Sequence, residues 1–160
     1  MSHDPYQALR YPAFRRFVAG HVLAVLGQGM MAVTIGWEIY ERTRSAWALG
    51  MVGLAQVLPL VILILPAGQL ADSSDRRRLL ILAEATIGLA AMGLWLASRA
   101  EAPIEVYYGL LVLYGAGRTF QLPAKQAIMP NLVPLGAFQN AVAWNSGGWQ
   151  GADMLGPALG

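Results

Sequence analysis

Asp153 lies about 20 Å along an apolar stretch that begins near Asn140, at 1.5 Å of rise per helical residue. Arg118 lies about as deep, roughly 20 Å, in another stretch that begins near Ile104. In hydrocarbon, a carboxylate or a guanidinium must pair, find hydrogen bonds or face a water-filled cavity. Two readings are open for Asp153: it carries a coupling proton, or it neutralises an arginine such as Arg118. Arg118 either faces a cavity or extends its stem to the inner interface. Gln121, three residues on, and Gln28, in the first apolar stretch, are neutral hydrogen-bonding groups suited to a polar cavity. His21 reads as a helix-packing residue, Glu38 beside Trp37 and Tyr40 as an interfacial anchor, and Glu84 as hydrogen-bonded near the inner surface.

A second polar group follows an apolar run without a charge. The stretch "GQLADSSDRRRLL" starts at Gly68 and gathers Asp72, Asp75, Arg76, Arg77 and Arg78. Gly68 would let another helix approach closely. Asp72 would place a carboxylate where it caps a partner helix N-terminus. The three arginines, taken alone, need no function beyond anchoring a loop at a membrane surface. None of these groups makes an enzyme. There is no nucleophile with a paired histidine, no zinc-binding HExxH, no phosphate-cradling loop and no cysteine. No cofactor and no metal site is expected.

The elements that must hold these groups are apolar. Of 160 residues, 56% are hydrophobic and 12% charged, where a soluble domain carries roughly 25%. The solvent that fits is a lipid bilayer, and the fold class is all-α integral membrane. A net charge of +2 does not indicate a nucleic-acid partner, because the basic residues sit in short clusters at the ends of apolar runs. Five segments, at about 17–40, 46–71, 79–97, 104–122 and 140–160, meet the rule that about 20 helical residues cross a core about 30 Å thick. Pro59 and Pro66 lie inside the second, which a membrane helix tolerates. Pro123, Pro130 and Pro134 forbid one continuous helix between the fourth and fifth, so that stretch reads as a short interfacial segment.

Basic residues in the connecting loops set the orientation. One side receives Arg10, Arg15, Arg16, Arg76, Arg77, Arg78, Arg118 and Lys125, and the other Arg42, Arg44 and Arg99. The N-terminus is expected in the cytoplasm. Trp47, Trp95, Tyr107 and Tyr108 would then form an aromatic belt at the outer interface. Trp144 and Trp149 have no evident place. Gly160 falls before the fifth segment has an interfacial anchor, so the chain is expected to be part of a longer protein.

The Gly68–Leu80 stretch resembles the loop signature of the major facilitator superfamily. Gly68, Leu70, Asp72, Arg77 and Arg78 match it, while Ser73 replaces a basic residue and Asp75 a glycine. "RTFQ" places Arg118 and Gln121 as in the superfamily's fourth helix, with Leu122 in place of a glycine. "GADMLGPALG" resembles the signature of its antiporters through Gly156, Pro157 and Gly160, with Gly147 and Gly151 at a spacing that suits close helix packing. "DRRR" and "GWEIYERTRSAWALGMVGLAQ" from Gly36 look like the branch containing bacterial siderophore exporters.

The resemblance implies the first five transmembrane helices of a twelve-helix fold, with two bundles rocking about a central site and the C-terminal half missing. It implies a secondary transporter, multi-pass in a bacterial inner (plasma) membrane, exporting a siderophore or drug-like small molecule in exchange for protons. Asp72 would stabilise the state closed to the cytoplasm. Many relatives carry an acid close to the position of Gln28. Two alternatives stand beside this: a metabolite uptake symporter of the same superfamily, and a small helical membrane subunit without transport activity.

Overall fold

A computed structural model of the protein describes residues 5–160, with Ala71 and Asp72 described by their backbone alone. Five long helices follow one another: α1 (Pro12–Thr43), α2 (Ala46–Ser73), α3 (Arg76–Arg99), α4 (Ile104–Ile128) and α5 (Phe138–Leu159). Short 3-10 turns cover Ala8–Arg10, Met129–Asn131 and Leu135–Ala137. No strand occurs among the described residues. By length and composition, α1, Ala46–Leu70 of α2, and α3 would each cross a membrane. The 25 residues of α4 and 22 of α5 are diluted by Arg118, Gln121, Asn140, Asn145 and Asp153, and fall short of that mark.

Local chemistry sets the breaks. Ser45 caps α2 by accepting from the Ala48 N–H, and the preceding Arg44 takes a positive φ that reverses the chain. Asp75 caps α3, accepting from the Arg77 and Arg78 N–H groups at 2.9 and 3.3 Å. Pro123 does not end α4, contrary to the sequence expectation. It costs one backbone bond, to the Thr119 carbonyl, and the helix continues to Ile128, where beyond the proline Lys125 is bonded to Glu84 of α3 and the Ala127 carbonyl accepts from Arg76. The break falls instead at 129–137, where Pro130 and Pro134 follow closely.

The chain divides into two compact units, one of residues 5–34 with Met129–Gly160, the other Ile35–Ile128. In the second, α4 packs against both α2 and α3. On α3 the buried positions Leu79, Ala83, Ile87, Ala90, Leu94 and Ala97 recur every three or four residues and form one stripe. On α4, Gly115 and Gly117 stand about 200° apart around the helix axis. A Cβ at Gly115 would run into the backbone carbonyl of Gln56 on α2, and one at Gly117 would lie 2.8 Å from Ile87 and 3.2 Å from the Ala83 carbonyl on α3. Two glycines thus let α4 meet a helix on either side at backbone distance.

In the first unit, Ala8, Phe14, Val18, Val133, Ala137 and Ala141 form a small core. Along it α1 and α5 run in parallel: Val22 faces Gly148, Leu26 and Gly29 face Gly156, and Met30 faces Gly160.

Candidate functional site

The polar stretch after α2 is built from the cap at Asp75. Its carboxylate holds the first turn of α3 and lies 3.5 Å from Arg78 Nε, an exposed pair that adds little stability. Arg76 Nη1 donates to the Ala127 carbonyl at 3.1 Å, fastening the start of α3 to the end of α4. A Cβ at Gly68 would meet nothing within 4 Å among the described residues. The Asp72 side chain lies outside the described residues.

Toward the same end of the second unit, Glu84 of α3 bridges to α4. Its Oε1 accepts from Gln121 Nε2 at 2.9 Å and from Lys125 Nζ at 3.1 Å. Gln121 is buried, and its Nε2 bond to Glu84 joins two helices. Arg118 is exposed, its guanidinium 5.9 Å from the centroid of the Tyr114 ring. Lys125 was legible only as a basic loop residue, because nothing in its own neighbourhood points to Glu84.

At the opposite end, Glu38 and Arg42 form an ion pair at 2.8 Å, one helical turn apart on α1. The Tyr107 hydroxyl donates to Glu38 Oε1 at 2.6 Å, Arg42 lies 5.4 Å from the Tyr107 ring centroid, and Arg42 Nη1 donates to the Ala102 carbonyl. Tyr107 is 0% exposed and so is not part of an aromatic belt. The adjacent Tyr108 bonds the Ala48 carbonyl at 3.0 Å. The sequence carried a faint signal, a Glu and an Arg four residues apart at a helix end.

In the first unit the glycines of α5 do the packing, with Gly156 and Gly160 in contact as expected and Gly148 in place of Gly147 and Gly151. Cβ atoms at Gly147 and Gly151 would meet nothing within 4 Å among the described residues. Gly148, Ala152, Gly156 and Gly160 form the contact stripe, Ala152 and Gly156 being buried. A Cβ at Gly29 would lie 3.0 Å from both Gly156 Cα and Pro157 Cδ, so backbone meets backbone. Asp153 is exposed beside this stripe. Pro157 has no N–H, which removes the helical partner of the Asp153 carbonyl. Two amide atoms are buried without a hydrogen-bond partner among the described residues: Gln28 Nε2 on α1 and Asn145 Oδ1 on α5. An unmet amide of this kind costs about 1–3 kcal/mol, and so invites a water, a ligand or another polar group.

Residues 3–160 match the profile of a family described as transmembrane secretion effector. The chain is 30% identical over 117 residues to macrolide efflux protein A of Streptococcus pyogenes, covering 72% of this chain and 29% of the relative. It is 27% identical over 134 residues to an enterobactin exporter of Citrobacter koseri (79% and 32% covered) and 26% identical over 145 residues to a staphyloferrin A transporter of Staphylococcus aureus (89% and 36%). The chain thus spans about a third of the length of these curated relatives. No solved structure matches it. An all-α fold, helices apolar enough to span a bilayer and a match over nearly its whole length lead to one assignment: the chain is an integral membrane protein of the transmembrane secretion effector family, within the major facilitator superfamily.

Proposed function

We propose that the chain is the N-terminal part of a proton-coupled exporter for a siderophore or a drug-like amphiphile in a bacterial inner membrane. The observation that carries this reading is the backbone contact between Gly29 and Gly156-Pro157. The antiporter-like signature lies in the tightest part of the α1/α5 seam, where a smooth face is required. The names of the relatives, a macrolide efflux protein, an enterobactin exporter and a staphyloferrin A transporter, support the export of a small molecule.

In this reading each of the five long helices spans the membrane, and a second bundle completes the transporter. Asp153 is the coupling acid, helped by the carbonyl that Pro157 leaves without its helical partner. Gln28 lines the path with its unmet amide. Asp72 caps a helix of the second bundle when the cytoplasmic side is closed, and Arg77 and Arg78 hold the loop at the inner surface.

The test uses the complete reading frame that contains these codons, expressed in cells lacking their own exporters. Outward movement of a labelled siderophore or macrolide that stops when the proton gradient is collapsed supports the proposal. Net accumulation would instead indicate an uptake symporter. A stable, folded 160-residue product ending at a genuine stop codon, with no transport, would leave a helical membrane subunit.

A further inference from the structure

The segment ahead of α1 is held by two side chains of α5. Asn140 uses both ends of its amide: Oδ1 accepts from the Ala8 N–H at 2.9 Å, and Nδ2 donates to the Pro5 carbonyl at 2.7 Å. Trp144, one turn further, donates Nε1 to the same carbonyl at 2.8 Å, and its ring centroid lies 5.8 Å from that of Tyr6. Ala8 is fully buried in the cluster that contains Phe14, Ala137 and Ala141. These contacts are directional.

The rest of the seam is not. Gly148, Gly156 and Gly160, with the buried Ala152 in the same row, repeat every four residues; the three glycines face α1 at van der Waals distance, and none of the four has a polar side chain. A repeat of small residues looks nearly the same after a shift of one turn, about 5.4 Å, and packed helices are known to ratchet by that distance. Packing alone therefore specifies the alignment of α5 against α1 poorly. A polar contact at one end of an apolar interface resolves such degeneracy, because in any other alignment its groups lose their partners.

We propose that Asn140, with Trp144, is a register-setting latch: by gripping Pro5 and Ala8 just ahead of α1, it fixes which residues of α5 meet which residues of α1. Both are positioning residues. They put Gly156 against Gly29, where a slip of one turn would bring Ala152 or Gly160 there instead. The proposal rests on the contacts of this chain and does not require the transport reading.

Register-specific cross-linking in the full chain, with any other cysteines removed, tests it. The pair Val22→Cys with Gly148→Cys reports the observed alignment, since a Cβ at Gly148 would lie 3.0 Å from Val22 Cγ2. The pair Val22→Cys with Ala152→Cys reports an alignment shifted by one turn. With Asn140 intact, the first pair should oxidise far more readily than the second. Asn140→Leu should reduce that preference about tenfold, as expected for loss of two ordinary hydrogen bonds. Trp144→Phe keeps an aromatic ring, though a smaller one, and removes one donor, so it should reduce the preference less, and it serves if Asn140→Leu fails to fold. An unchanged preference in the folded variant would overturn the latch. So would a uniform fall in both pairs, because that reports loosening without a change of register.

Discussion

The Tyr107 hydroxyl lies 2.6 Å from Glu38 Oε1, and this bond joins the end of α1 to the first turn of α4. Glu38 is also paired with Arg42, which reaches on to the Ala102 carbonyl ahead of α4. Tyr107→Phe removes the hydroxyl while the ring stays packed and Glu38 keeps its arginine. A loss of about 1–2 kcal/mol is expected, the scale of a hydrogen bond to a charged group. Glu38→Ala should cost more, because it leaves both the hydroxyl and Arg42 to find new partners. Unfolding of the detergent-solubilised full chain measures both. Equal stability of Tyr107→Phe and wild type would show that the bond adds nothing net.

The glycines of the second unit separate by what stands in front of them. Gly115 faces the Gln56 backbone, which cannot yield without moving α2, whereas Gly93 faces Leu110 Cδ2, the far end of a flexible side chain. Gly115→Ala should therefore destabilise by about 1–3 kcal/mol, the usual cost of overpacking. Gly93→Ala should be near neutral, a rotamer change of Leu110 being offset by the gain in helix propensity. Thermal unfolding of the two variants checks the order. Gly93→Ala as the more harmful change would contradict the packing described.

These contacts mark where the sequence stopped being legible. Apolar run length locates α1, α2 and α3, since a helix must satisfy its backbone internally wherever water is absent. It does not reveal which face of a helix meets a neighbour. On α5, small residues occupy adjacent faces, and Gly147 with Gly151 has the same spacing as Gly148 with Ala152. The positions of Val22, Leu26, Gly29 and Met30 on α1 select between them. Tyr107 failed for a related reason. A tyrosine near a helix end suits an interface belt or a buried hydrogen bond equally well, and its partner Glu38 is 69 residues away. Pro123 was read from its local cost alone, while Glu84 holds Gln121 and Lys125 on either side of it.

Sidedness follows from the basic residues. With the richer set of arginines in the cytoplasm, a reporter fused after Arg78 should respond as cytoplasmic, and one fused after Glu101 as external. Paired alkaline phosphatase and fluorescent protein fusions at both sites make the measurement. The reverse pattern would move the Asp75 cap and the Glu84 cluster to the outer face, and the Glu38–Tyr107 contact to the inner one.

The two readings of Arg118 and Asp153 differ in how single and double variants behave. If Asp153 only neutralises Arg118, removing either residue leaves an uncompensated charge in an apolar environment and the folded fraction falls. Removing both then restores it. If Asp153 carries the coupling proton, as proposed, Asp153→Asn keeps a side chain of the same shape on an exposed face of α5 and should fold. The loss should then appear in proton-driven efflux, by well over tenfold, and in the pH dependence of what remains. Arg118→Gln should not rescue it, because no substitution at Arg118 replaces a titrating carboxylate. The folded fraction from size-exclusion chromatography and efflux across a range of external pH, measured for both single variants and the double, decide the matter. Recovery of gradient-driven efflux in the Asp153→Asn, Arg118→Gln double variant would remove Asp153 from the proton path and leave it as a counter-ion.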